Sequence, residues 1–282
     1  MFKSKSNIGK FFKGLLLLSL IFSTEGFAQG NLLITPRRVV FDGSRRVMEL
    51  NLANTGQDSS KYNVSLIQYR MNDDGSFVEI TEPDPGQNFA DKNIRFFPRT
   101  VTLGPNEAQV VKMQVTNTDK LAPGEYRSHV YFRSVPKQIA LGEEDPTRDT
   151  TAVSVKLTPI FGITIPVIIR IGASTTAVTL SDLQYEMFND TTNILNLIFN
   201  RSGNMSIYGD LKIVHISASG KETQIGAING IAVYTPNTLR KVRIELDNVK
   251  NVNYKSGKIK VTFSSQSDTK PEKYAEAELE LR

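Results

Sequence analysis

The chain has 282 residues, no cysteine, two histidines and a formal charge of +5. Without cysteine there are no disulfides, thiol nucleophiles or thiolate metal sites, and two histidines leave little for metal binding or acid–base work; no metal and no cofactor is expected. Lys3, Lys5, Lys10, Lys13 and Glu25 lie in the first 28 residues, so the remainder carries only about +2. That balance is too weak to point to nucleic acid or an anionic membrane surface.

The chain opens with "MFKSKSNIGKFFKG", a basic stretch, followed by the apolar run "LLLLSLIFS" and the small residues of "TEGFAQG". This is the pattern of a secretory signal peptide, predicted over 1–28 with cleavage after Ala28. The apolar run has nine residues, far short of the roughly 20 that span a bilayer. No later segment is long and apolar enough to span, so the expected mature protein is exported and not membrane-spanning.

Next comes "TPRRVVFDG", which reads as strand with two adjacent arginines. Alternation puts Ile34, Pro36, Arg38 and Val40 on one face and Thr35, Arg37, Val39 and Phe41 on the other. Neither face is plainly wet, so one guanidinium is expected to face something half-buried.

Short alternating runs then follow one another. "RRVMELNLANTG" ends in a turn, "KYNVSLIQYRMNDDGSF" holds strand-like runs around the hairpin signal "NDDGS", and "RFFPRTVTLGPNEAQVVKMQVTN" repeats the pattern around "LGPNE". "NDDGS" lacks the ligand spacing and distal glutamate of a calcium loop. No stretch carries the helical period, and about seven strands with frequent turns point to a β-sandwich. After Gly172–Thr176 the strand pattern restarts through "LNLIFNRSGNMSIYGDLKIVHIS" to "AEAELELR". The predicted fold is all-β, two immunoglobulin-like sandwiches over 29–171 and 172–282.

Enzyme signatures are missing: there is no nucleophile elbow, no phosphate-cradling glycine loop and no HExxH. His129 and His215 sit in separate halves and read as structural strand residues. The most informative segment is "TAVSVKLTPIFGITIPVIIR", whose odd positions Val153, Val155, Leu157, Pro159, Phe161, Ile163 and Ile165 form one apolar row. Pro159 and Pro166 cannot donate to a ladder and argue for a sheet edge. Two readings stand: the last strand of its own domain, or a strand kept for pairing with another chain. The charged connection "PKQIALGEEDPTRDT" before it is long for a structural loop.

In order and spacing, "RRVVFDGSRR…MELNLAN", "FFPRTVTLGPNEAQVVKMQV", "LAPGEYRSHVYFRSVP" and "ITIPVIIR", with "NRSGNMSIYGDLKI" and "VYTPNTLRKVRI" behind them, resemble the periplasmic pilus-assembly chaperones of the chaperone–usher pathway, nearer the archaic-type branch. The resemblance covers nearly the whole mature chain. It implies two immunoglobulin-like sandwiches set at an angle around a cleft. It also implies a periplasmic, non-enzymatic chaperone that lends its last domain-one strand, about 152–165, to pilus or surface-fibre subunits and delivers them to an outer-membrane usher. Val153, Val155, Leu157, Phe161 and Ile163 would be the lent side chains. Arg38 matches the cleft arginine that holds a subunit's C-terminal carboxylate; a guanidinium suits a carboxylate because it offers paired donors. The familiar members add a cleft lysine, and here the matching position is Thr164 or Pro166, neither a cation. Thr164 or Arg127, which shares a strand face with His129, would then complete the site. A self-capping homodimer fits the same reading. The alternative is an exported immunoglobulin-like structural or adhesive module, whose apolar row would be internal to its own fold.

Overall fold

The computed structural model describes residues 32–136, 160–189, 191–250, 252–267 and 269–281. The leader and the candidate lent residues Val153, Val155 and Leu157 lie outside them.

Alternation of apolar and polar residues dictates the strands. In β3 (Val47–Asn54), Leu50 and Leu52 are buried while Glu49 and Asn51 are exposed. One sheet runs β1 (Leu32–Thr35), β3, β9 (Ala108–Val115), β7 (Ile94–Phe97). The facing sheet runs β2 (Val39–Phe41), β11 (Gly162–Ile171), β10 (Gly124–Val135), β4 (Ser60–Ile67), β8 (Thr100–Leu103). Between them Phe41, Leu50, Leu103, Met113, Phe132 and Ile169 form the first core. A hairpin, β5 (Tyr69–Met71) and β6 (Phe77–Glu79), closes through "NDDGS" as the turn residues predict, with Asn72 N donating to Ser76 O at 2.8 Å.

The second sandwich is built the same way. β12 (Ala177–Phe188), β13 (Thr192–Ser202) and β16 (Leu239–Glu245) face β15 (Glu222–Val233), β14 (Ile207–Ile216), β17 (Lys258–Ser264) and β18 (Lys273–Glu280). Its core contains Leu195, Phe199, Ile213, Val261 and Phe263, with the Phe199 and Phe263 rings edge to face at 5.0 Å.

Two expectations are corrected here. The first strand does not alternate unbroken through "TPRRVVFDG". It stops at Thr35, and the chain resumes as β2 in the other sheet, so Ile34, Val39 and Phe41 all enter one core. Pro36 offers no backbone donor, which suits a switch between sheets. Likewise "LGPNE" does not join a hydrogen-bonded pair: β8 pairs with β4, whereas β9 pairs with β3 and β7, so the turn crosses the sandwich.

β11 has a divided environment. Along its whole length it pairs antiparallel with β10, but it meets β2, in parallel, only at Val167–Ile169. Among the described residues, Gly162–Pro166 therefore has a neighbour on one side only.

Candidate functional site

The two sandwiches touch through a small apolar cluster of Met71, Ile168, Ala232 and Tyr234, with Val40 and Tyr208 against it. The hairpin turn reinforces the seam. Lys241 N donates to Asp73 O at 2.6 Å, and Asn237 Nδ2 donates to Met71 O at 2.8 Å. Gly75 lies against the Arg240 guanidinium with φ of +86°, so a side chain there would clash as well as strain the backbone.

The odd residues of β10 from Glu125 to Tyr131 face this seam, while Val130 and Phe132 face the first core. Glu125, Arg127 and His129 are all buried, an unusual run for one strand. Glu125 accepts hydrogen bonds from Ser206 N at 3.0 Å, Ser206 Oγ at 2.7 Å and Arg170 Nε at 3.2 Å. Arg170 Nη2 also donates to Ser206 O at 2.8 Å. One carboxylate and one guanidinium thus tie β10 and β11 to the residue preceding β14.

Arg38 and Arg127 both contact Tyr234. Arg38 is half-buried; its Nη1 donates to Tyr234 Oη at 3.0 Å, and its Nη2 reaches Ser206 Oγ at 3.4 Å. Its guanidinium carbon is 4.5 Å from the Tyr208 ring centre and 5.3 Å from that of Tyr234. Arg127 is only 2 % exposed, and its guanidinium carbon is 4.3 Å from the Tyr234 ring centre. These are cation–π distances. Among the described residues only Arg127 Nη2 finds acceptors, Tyr69 O at 3.4 Å and Thr235 O at 3.3 Å, while Nε and Nη1 have none. Arg37, next to Arg38, is exposed.

His129 shares the pocket with Tyr69, whose ring lies edge-on at 5.0 Å, and with Phe77 and Tyr234. Burial first, then the charges of Arg127 and Arg38, lower its pKa from 6.5 to about 3. The ring is neutral at pH 7, so it adds no charge to the site. His215 is remote from the seam and buried in the second sandwich, with Nε2 3.0 Å from Ser256 O.

The remaining sequence candidates are placed as follows. Thr164 is half-buried on the one-sided half of β11, opposite Tyr131 and on the same face as Ile168. Continuing the β2–β11 register back by one residue sets Arg38 beside Pro166. The neighbouring strand position therefore carries no cation, and the second guanidinium comes from Arg127, one strand further across. Phe161 is 45 % exposed and Ile160 46 %, whereas Ile163 packs half-buried on the first core and Ile165, Val167 and Ile169 lie inside it.

Sequence reading missed Tyr234, Tyr208, Ser206, Glu125 and Arg170. Glu125 and Arg170 carried a signal, being charges inside apolar strands. The second-sandwich residues carried none, because only the tertiary arrangement brings them to Arg38.

The site therefore offers two guanidinium groups that contact one tyrosine in a largely dehydrated seam. Such a site suits an anion with more than one acceptor oxygen.

No family model matches the chain, and no curated protein matches it. Among solved structures it is similar to the YadV chaperone, at 14% identity, covering 89% of this chain and 100% of that one with a TM-score of 0.45. It is also similar to the class 5 fimbriae chaperone CfaA, at 16% identity, 89% and 99% coverage and a TM-score of 0.41. A third is the Pseudomonas aeruginosa CupB2 chaperone, at 12% identity, 88% and 99% coverage and a TM-score of 0.39. At such identities and scores, what those proteins do does not transfer to this chain.

Proposed function

We propose that this protein is an exported, non-enzymatic chaperone for subunits of a pilus or surface fibre. It works in the periplasm, captures a subunit by strand addition along β11 and the residues before it (about 152–165), and hands it to an outer-membrane usher. Gly172–Thr176 is the linker between the two domains, and the leader over 1–28 is removed on export.

The observation that carries this reading is the one-sided edge of Gly162–Pro166, with Ile160 and Phe161 exposed at its start. A strand edge presents unpaired N–H and C=O groups in a row, and a second chain pairing there satisfies them. At the far end of that edge the register sets Arg38 beside Pro166. A partner strand running along the edge would bring its terminal carboxylate to this guanidinium, which fixes the register of pairing. A charge-assisted hydrogen bond of this kind contributes about 1.5–3 kcal/mol. Arg127, which shares the contact with Tyr234, supports a second positive charge in place of a lysine; Thr164, further along the edge, would face the partner's last residues.

The burial of Ile165, Val167 and Ile169 in the protein's own core limits the lent surface to residues up to Ile163. It is also what an immunoglobulin-like adhesive module would show, so the two readings need a direct test. Co-expression with subunits encoded beside this gene, followed by periplasmic purification, compares the unaltered chain with Arg38→Ala, Leu157→Asp and Phe161→Asp. Retention by the unaltered chain and loss in all three variants supports strand lending with a carboxylate anchor. Loss in the two aspartate variants alone keeps strand lending and rejects Arg38 as the anchor. Folded proteins that retain nothing favour the adhesive module.

A further inference from the structure

The seam holds an electrostatic imbalance that strand lending does not explain. Arg127 is 2 % exposed, yet among the described residues two of its three nitrogens lack an acceptor. A buried guanidinium with two nitrogens unpaired is costly, so its retention needs a reason. Glu125, whose charge reaches Arg127, bonds Arg170 and Ser206 through Oε2, and its Oε1 has no hydrogen-bond partner among the described residues, so it makes no hydrogen bond to Arg127. The group that meets both arginines is Tyr234, 5 % exposed, which contacts Arg38 with its hydroxyl and Arg127 with its ring. Burial raises the Tyr234 pKa above its ordinary value of 10.0 despite both arginines, so the phenol stays neutral. One neutral oxygen and one ring face compensate two cations poorly compared with a carboxylate, which offers two charged oxygens.

We propose that Tyr234 is a built-in occupant of the anion site, engaging Arg38 and covering Arg127 in the free protein until a partner's terminal carboxylate displaces it. This inference rests on the reading of Arg38 as a carboxylate anchor. Tyr234 comes from the end of β15 in the second sandwich, whereas both arginines belong to the first. Displacement therefore exchanges a contact between domains for a contact with the partner. The free seam is kept closed, and the guanidinium pair is opened only to a ligand that competes better than a phenol. Specificity then arises because a chain ending in an amide, or a loop without a terminus, cannot repay the loss of the Tyr234 contacts.

The test uses the full mature chain and two synthetic probes: an acetylated peptide of alternating valine and threonine ending in a free carboxylate, and the same peptide ending in an amide. Titration calorimetry measures the preference for carboxylate over amide. Tyr234→Phe keeps the ring and removes the acceptor, and should raise that preference about three- to tenfold over the unaltered chain. Tyr185→Phe is the control: it removes a phenol bonded to Asn193 Oδ1 at 2.7 Å in the second sandwich, outside the seam, so the preference should not change. Equal preference in the unaltered chain and in Tyr234→Phe, including none in either, overturns the proposal. The double variant Tyr234→Phe with Arg38→Ala separates the two ideas. If the gain disappears, Arg38 is the anchor and Tyr234 its occupant. If the gain persists, Arg38 is not the anchor, and Tyr234 guards an anion site carried by Arg127. Tyr234→Leu with the same peptides covers the case in which phenylalanine packs poorly, and the same gain is expected.

Discussion

The two halves of β11 are chemically alike and structurally opposite. Gly162–Pro166 and Val167–Ile171 are both rich in β-branched residues, and both pair with β10. The second half is also sealed by β2 and is mostly buried, whereas among the described residues the first half is open on that side and preceded by exposed Ile160 and Phe161. Composition did not decide which half lies open. Three residues of parallel pairing with β2 did, and those exist because the first strand breaks at Pro36 and crosses to the other sheet. An edge strand is thus left half-finished beside a charged seam.

Substitutions can break this contrast. Val167→Asp, in the sealed half, places a charge at a fully buried position. It should destabilise the protein by about 4 kcal/mol or more, measured as the shift in a denaturant midpoint; a small effect would mean that this half is not sealed in solution. Arg170→Ala leaves Glu125, whose side chain is fully buried, without its ion-pair partner. The expected cost is about 3 kcal/mol, with looser contact between the sandwiches read as faster hydrogen exchange at Ser206 N.

A pH titration sharpens the picture of the seam. The pKa of His129 is lowered from 6.5 to about 3 in the folded chain, so between those values the unfolded state binds more protons. Stability contributed by neutral His129 is present above pH 6.5 and is lost as pH falls through the window, by up to about 1.4 kcal/mol per pH unit. In His129→Gln the slope between pH 6.5 and about 3 should flatten; an unchanged slope would show that His129 titrates normally. The smallest effect on stability belongs to Phe161→Asp in the open half, within about 0.5 kcal/mol of the unaltered chain. A large loss there would mean that Phe161 serves the protein's own fold.

Much of the strand content was legible because alternation is a local property. The "NDDGS" hairpin was equally legible, since its turn residues favour their own closure. Sheet assignment was not, as β1 with β2 and β8 with β9 show: the period of two marks a strand but does not say which sheet receives it. At the site, Arg38 stood out because it shared a strand with another arginine and had no wet face. Arg127 was visible only as a loose candidate on the His129 face. Tyr234 and Ser206 left no local trace, since their role depends on how one sandwich meets the other.

By itself the sequence determined that this protein is a series of short strands with an unusual arginine early and a long apolar row near residue 160, because side-chain periodicity and turn chemistry act over a few residues. The tertiary structure decided which half of β11 meets β2, and that Arg38 and Arg127, from one sandwich, both contact a tyrosine from the other. Those outcomes depend on contacts between segments some 100 residues or more apart, as in the bond from Arg38 to Tyr234, and such contacts are set by packing and desolvation rather than by local pattern.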